Sequence, residues 1–441
     1  MLSPDVLSLL DADIRHRAFR LPEQPGGPDS GRPWRALSAD GLEPASSRVP
    51  GGACLIGLEI ELLPLDDAGV IVPIQGPSGS MAFLSELAER RDWRESLSET
   101  GSPQFEPGPE ETISYEPGGQ IEYGTAAYAS PARLLRRAAG VLSDLHDAAE
   151  ARGIRLAALG IEPGRPLEET SLKLTSDRYR RMDAYLSSIG PAGPRMMRQT
   201  ASTQFNLDFG PDPLLAWRVA NALAAPLTAM FANSAIYDGK PSGHVSYRAD
   251  SWRRLDPGRT GVVESVGASD PVRSYVAFAL AARWFLGPAP AEPFGDLLDG
   301  GEVGLDSWRA HLTTLFPEVR PRGWLEIRSC DAVAPGALAA PVALLTGLLH
   351  DRGALAEAAG LLQAPTPGLL ERAGRVGLRD PELGALSRDL VAVGMEGARR
   401  LGPDRLDGDA LARAEEYFGR YTLAGRCPAD DGLRAPEPSA A

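Results

Sequence analysis

"GLEIEL", residues 57–62, follows the run "GGACLI" and sets two acids into an otherwise apolar stretch. On a β-strand, side chains two positions apart share a face. Glu59 and Glu61 then point one way while Leu58, Ile60 and Leu62 point the other. A half-solvated antiparallel strand shows the same alternation. The stretch predicts a strand by itself, and the rest of the chain decides whether the acids face water or a site.

Three later segments repeat the polarity. "EPGGQIEYG" carries Glu116, Gln120 and Glu122 at even positions around Ile121; "STQFNLDFG" sets Gln204, Asn206 and Asp208 against Phe205, Leu207 and Phe209; "WLEIRS" sets Glu326 and Arg328 against Leu325 and Ile327. Solvated strands favour Lys and Thr, whereas these faces are built from Glu, Gln, Asn, Asp and one Arg. A curved sheet or open barrel with these faces inward would gather several carboxylates in one cleft, where they repel one another and titrate upward. Mg²⁺ relieves that conflict, because it takes oxygen ligands and shares them between carboxylates and nucleotide phosphates. A neighbouring arginine adds a bidentate phosphate contact. No G-x-x-x-x-G-K-[ST] stretch is present, so the expected site is a Mg-nucleotide cleft without a Walker loop.

The 441 residues suffice for a large core. A net charge of −14 argues against a nucleic-acid groove or an anionic membrane surface as the main partner, since both need clustered Lys and Arg. Cys54, Cys330 and Cys427 show neither paired nor metal-knuckle spacing and read as reduced thiols of a cytoplasmic protein. His16, His146, His244, His311 and His350 are too scattered for a histidine metal site or a triad. With no apolar leader at the start and no long apolar run, the chain reads as soluble and not exported.

Residues 1–49 read as a short helix over 4–20 and a Pro/Gly-rich connector, 50–427 as one α+β catalytic domain, and 428–441 as a disordered tail. "ASPARLLRRAAGVLSDLHDAAEARG" has Ser130 as cap, Pro131 just inside and leucines at helical spacing. "DPLLAWRVANALAAPLTAMFANS" predicts one buried helix, and residues from about 338 are mainly helical.

Several stretches in order, "GLEIE", "EPGGQIE", "RYRRMDAYL", "MMRQTASTQFNLDF", "MFANSAIYDGKPSGHVSYRADSW", "DPGRTG" and "HLTTLFPEVRPRGWLEIR", resemble the glutamate–cysteine ligases of the plant and proteobacterial type. They also resemble the actinobacterial relatives that begin ergothioneine synthesis. The resemblance implies a glutamine-synthetase-like curved antiparallel sheet, an open half-barrel with helices outside. It implies ATP- and Mg²⁺-dependent formation of γ-glutamylcysteine through a γ-glutamyl phosphate.

Carried over on the matching motifs, Glu59, Glu61, Glu116, Glu122 and Glu326 would be metal ligands, with Glu61 and Arg328 catalytic. Gln204, Asn206, Lys240 and Arg328 would meet nucleotide. Arg165, Arg248, Trp252, Arg259 and Tyr275 would meet the amino-acid substrates, Arg248 as a fork on the glutamate α-carboxylate. His311 is a further nucleotide candidate or a satisfied core histidine, and Met196 and Met197 are expected in the core.

The chain departs from the plant pattern where only Arg165 stands in place of a Trp-Arg-Arg stretch, at Tyr275 and Phe278 in "YVAFAL", and at "SCDAV" after the Glu-x-Arg pair. Those departures leave three readings: a cysteine ligase, a ligase for another amine, or a silent binding homologue. No plant-type redox cysteines are evident, so no disulfide switch is expected. The expected partners are small molecules, with no nucleic acid and no membrane, in a monomer or weak homodimer.

Overall fold

The alternation at 57–62 does make a strand, and that strand is central to the sheet. The computed structural model describes residues 2–21, 54–98, 101–263, 270–287 and 291–433. Its main sheet comprises Ile56–Leu65 (β1), Arg94–Leu97 (β2), Pro103–Glu106 (β3), Thr112–Tyr115 (β4), Ile121–Gly124 (β5), Arg155–Ala157 (β6), Ser202–Leu207 (β7), Val319–Pro321 (β8) and Leu325–Asp331 (β9). The spatial order is β8-β9-β7-β1-β5-β4-β3-β2, with β6 on the far end of β1. Every pairing in it is antiparallel. The expected α+β class, a large antiparallel sheet with helices packed on it, is the one observed.

One face of the sheet is apolar. Leu58, Ile60, Leu62, Ile121, Tyr123, Phe205, Leu207, Leu325 and Ile327 are all buried, beneath helices that include Pro131–Glu150 and Ala224–Met230. Ser130 caps the first of these by accepting from the Arg133 N–H, with Pro131 inside, as its sequence predicts. The run 213–230 forms two helices, Pro213–Ala222 and Ala224–Met230, because Pro226 has no N–H with which to continue the first.

Other expectations shift. Over 116–124 only β5 is strand; Glu116 and Gln120 flank a tight turn in which the Gly119 N–H donates to the Glu116 carbonyl, and Gly119 sits at φ +89°. A Cβ on Gly118 would strike the Arg198 backbone, so the "PGG" turn is wedged against a neighbouring helix. Asp208 lies past the end of β7 and accepts from the Leu55 N–H at 2.9 Å, away from the other acids.

The N-terminal helix is Pro4–Asp13, continued by a π-turn at Ile14–Ala18. Leu10, Ile14, Ala18 and Phe19 belong to the main core, with the Phe19 ring 5.0 Å from Trp217. The residue 22–49 connector lies outside the described residues. At the other end, Cys427 and Ala429 are buried and a short helix covers Ala429–Gly432, so the first residues of the expected tail are packed; 434–441 lie outside the described residues. Cys54, Cys330 and Cys427 form no disulfide.

The C-terminal helices dock without side chains between them at one point. Ala339–His350 is buried along its whole length, and a Cβ at its Gly347 would collide with the Gly394 carbonyl on Pro381–Arg400. Gly347→Ala is therefore expected to cost about 1–3 kcal/mol of stability. Urea unfolding measures this; an unchanged midpoint would contradict the close approach.

Candidate active site

The register of the sheet builds one wall. Glu59 on β1 stands opposite Gln204 on β7, and Glu61 opposite Glu122 on β5. Asn206 on β7 stands opposite Glu326 on β9. The polar faces of four strands thus form a single surface, and the β4–β5 turn adds Glu116. Like charges directly across a strand pair destabilise the sheet unless something offsets them. Amides do part of this: Gln204 Nε2 donates to Glu61 at 3.1 Å, Asn206 Nδ2 to Glu59 at 3.0 Å and the Ser202 N–H to Glu61 at 2.7 Å.

What remains shows in the titration of the acids. Burial, with help from Glu61 and Glu59, pushes the Glu116 carboxyl up to about 8. Burial and the three neighbouring acids hold Glu122 well above the usual carboxylate range. Glu61 is raised by burial, against Arg248, the Ser202 N–H and Arg328.

Beside this acidic surface, toward the β9–β8 end of the same sheet, is a cationic one. Arg320 is placed opposite Glu326 by the β8–β9 register. The fully buried Glu326 carboxylate accepts from Arg320 at 2.6 Å, from Arg322 at 2.9 Å and from Arg328. Burial opposes its charge, but these three guanidiniums keep it well below the usual range. Arg328 also donates to Gln204 Oε1, so Gln204 joins the two walls. Arg328 and Arg248 lie over the Trp252 ring at 5.3 and 5.2 Å.

Between the walls is a cavity of about 310 Å³. Helices Asp177–Ile189, Ala192–Gln199 and Tyr247–Arg253 cover it, contributing Arg178, Tyr179, Met182, Met196, Met197, Arg248 and Trp252. A larger hollow of about 860 Å³ lies beside Tyr185, Asp256 and Arg283. We place the chemistry in the smaller one. In the larger, Asp256 is tied to Tyr185 at 2.7 Å and to Arg259 at 3.1 Å, and no cluster of acids converges there.

Of the residues singled out by sequence, Glu59, Glu61, Glu116, Glu122, Gln204, Arg248, Trp252 and Arg328 line the cavity together. Asn206 is bonded to Glu59 just behind them. Glu326, expected as a metal ligand, gives its oxygens to three arginines in this metal-free structure. Lys240 is 79% exposed on a hairpin and pairs with Asp238. Arg165 pairs with Glu162 at 2.9 Å.

Arg259 is buried against Asp256, Thr314 and the Phe285 ring, and Tyr275 is buried among Phe19, Trp217 and Phe278. None of these last four lines the cavity. His311 is a core residue, stacked on Phe294 and bonded to the Ala279 carbonyl, and burial pushes it down to about 3.

Sequence reasoning missed Arg178, Arg320 and Arg322, and placed Met196 and Met197 only in the core. Arg178, Tyr179 and Met182 share a helix face at i, i+1 and i+4, which was a readable signal. Arg320 and Arg322 reach Glu326 through a hairpin register that no single strand reveals.

Among the described residues no three His, Cys, Asp or Glu side chains stand close enough together to enclose a metal ion. The donor chemistry nevertheless fits a hard divalent cation. The cavity offers carboxylate oxygens whose mutual repulsion such an ion would lower.

An antiparallel sheet that sets a carboxylate cluster beside clustered arginines accords with the expected carboxylate–amine ligase class and glutamine-synthetase-like fold. Residues 55–440 match the profile of glutamate–cysteine ligase family 2, and the chain belongs to that family. It is 35% identical over 339 residues to the glutamate–cysteine ligase EgtA of Mycolicibacterium smegmatis, covering 72% of this chain and 76% of that one. With EgtA of Mycobacterium tuberculosis the identity is 33% over 87% of this chain and 86% of the relative. With the chloroplastic glutamate–cysteine ligase of Medicago truncatula it is 33% over 62% and 57%. The solved glutamate–cysteine ligase of Francisella tularensis in complex with AMP superposes at a TM-score of 0.52 and 14% identity, over 86% and 84% of the two chains, a likeness of fold. The chain is thus an enzyme, a carboxylate–amine ligase. No helix among the described residues is long and apolar enough to cross a membrane.

The raised acids set a pH dependence. A carboxyl whose pKa is higher folded than unfolded stabilises the fold fully at low pH and loses that contribution as pH climbs through its folded value. In chelator, the wild-type melting temperature is expected to fall as pH rises from the ordinary carboxylate range through about 8, the Glu116 value. Glu116→Gln is expected to flatten that fall, and added divalent cation to reverse it. Parallel pH profiles for wild type and variant would contradict the shared repulsion.

Proposed function

We propose that the protein joins the γ-carboxylate of L-glutamate to the amine of L-cysteine, using ATP and Mg²⁺. The observation that supports this most is one cavity lined by both Glu59, Glu61, Glu116 and Glu122 and Arg248, Arg320, Arg322 and Arg328. A reaction that gathers a triphosphate and a carboxylate needs both signs of charge at once.

Glu59, Glu61, Glu116 and Glu122 would hold Mg²⁺, which when bound neutralises phosphate charge. Arg328, kept in place by Glu326 and Gln204, meets the transferring phosphoryl group as a planar fork. Arg320 and Arg322 share the Glu326 anchor and extend the same cationic surface. Arg248 takes the glutamate α-carboxylate, with Trp252 as the wall beside the aliphatic stem. A γ-carboxylate oxygen then attacks the γ-phosphorus, ADP leaves, and the acyl phosphate forms. The cysteine nitrogen attacks the acyl carbon, phosphate leaves, and the nitrogen gives up its proton. The helical cover shields the acyl phosphate from water.

The departures from the plant pattern at Arg165, Tyr275, Phe278 and 329–333 fall outside the cavity lining, Asp331 of the last being one that the family segment also carries as Asp. They therefore give no ground for a different amine, and cysteine is the acceptor proposed.

ADP release tests this reading in the presence of glutamate, ATP and Mg²⁺, run without amine, with cysteine and with other amines. Turnover is expected to depend on cysteine, and hydroxylamine is expected to trap the acyl phosphate as a hydroxamate. Arg328→Ala is expected to lower kcat by about 100-fold or more. Turnover that ignores cysteine, or an Arg328→Ala rate equal to wild type, would refute the assignment.

A further inference from the structure

The reading of Arg248 as the glutamate fork leaves open what aims it. Its guanidinium is nearly sealed from solvent and is held from three sides. Nη2 donates to the Arg328 carbonyl at 2.8 Å, the Trp252 ring lies beneath it at 5.2 Å, and Nη1 stands 3.8 Å from Asp331 Oδ1. Among these three, Asp331 carries the countercharge; Glu61 and Glu318 lie within electrostatic reach of the same guanidinium.

Asp331 is itself built in with care. It closes β9 after a register shift between Ile327 and Cys330, which ends the simple alternation that sends Glu326 and Arg328 into the cleft. Its Oδ2 accepts from the Asn233 N–H at 2.7 Å and from Ser234 Oγ at 2.6 Å, while Oδ1 accepts from Ser246 Oγ at 2.8 Å. A side chain at Gly160 would overlap the carboxylate, with a Cβ only 2.6 Å from Oδ2. Ser246 also caps the helix Tyr247–Arg253, and Ser234 Oγ accepts the Arg248 N–H at 3.2 Å. The two serines that bind Asp331 therefore also bind the helix start that carries Arg248. Backbone and guanidinium of one residue are referred to one buried carboxylate.

We propose that Asp331 is a positioning residue for glutamate recognition, acting through Arg248 on the affinity for the α-carboxylate rather than on phosphoryl transfer. Asp331 does not line the cavity. A buried guanidinium deprived of its countercharge would reorient toward other acceptors, and the substrate carboxylate would then lose its fork. The inference rests on the assignment of Arg248 made above.

A double-mutant cycle in the full chain tests it, with hydroxamate formation from glutamate, ATP and hydroxylamine as the assay, which needs no cysteine. Asp331→Asn keeps the shape and one acceptor oxygen, and replaces the other with an uncharged NH2 donor. It is expected to raise the KM for glutamate about tenfold, less than the loss of a hydrogen-bonded partner in a buried charge pair because Nη1 and Oδ1 stand 3.8 Å apart, with the KM for ATP and the saturated rate little changed. Arg248→Lys is expected to raise the same KM, and adding Asp331→Asn to it is expected to give little more, because both act on one contact.

Additive effects, or equal losses in the glutamate and ATP constants, would overturn the proposal while leaving Arg248 as the fork. An Arg248→Lys enzyme with the wild-type glutamate KM would overturn the Arg248 assignment, and this inference with it. Should Asp331→Asn fail to fold, Ser234→Ala removes two hydrogen bonds, the one given to Asp331 and the one taken from the Arg248 N–H, and leaves the charge. A smaller rise in the glutamate KM is then expected, and an unchanged KM would refute the proposal.

Discussion

Glu61 and Glu122 face each other across an antiparallel strand pair, both half-buried, with Glu59 and Glu116 beside them. Such a grouping opposes folding. The sheet sustains it because its other face buries a continuous apolar layer from Leu58 to Ile327, and burial on that scale outweighs a few units of local repulsion. Apolar packing behind the strands thus holds in place a charge arrangement that would not assemble alone. The excess negative potential is the feature a divalent cation would use.

The arginine wall solves the opposite problem. Arg320, Arg322 and Arg328 would repel one another, and one acid, Glu326, gathers all three. A sequence-level reading sees Glu326 and Arg328 as two polar residues on one strand face and gives both to the ligand. In the fold the acid is consumed in ordering guanidiniums, and Gln204 bridges from Arg328 to Glu61. Asp331 has the same relation to Arg248. The acids of this region therefore fall into two groups, those that face the cavity and those that aim arginines into it.

That division explains what could be read beforehand. Strand period and residue type revealed the polar faces of β1, β7 and β9, because each lies within one continuous segment. The turn at Glu116–Gln120 was taken as strand because acids at even spacing look alike in both, and only the contact of Gly118 with Arg198 distinguishes them. Arg320 and Arg322 depend on hairpin register, and Arg178 on which helix covers the sheet. Neither is local. Arg259 and Tyr275 lie in motifs shared with the family yet are buried in other contacts, so motif membership marked them without revealing their role.

The central claim is that the carboxylate wall and the arginine wall enclose a metal–nucleotide complex. A crystal structure with Mn²⁺ and a non-hydrolysable ATP analogue tests it most directly, through anomalous scattering. The account predicts anomalous peaks at coordination distance, roughly 2.0–2.2 Å, from oxygens among Glu59, Glu61, Glu116 and Glu122, with the terminal phosphate against Arg328. Peaks elsewhere, or the nucleotide lodged in the larger hollow beside Tyr185 and Arg283, would contradict it.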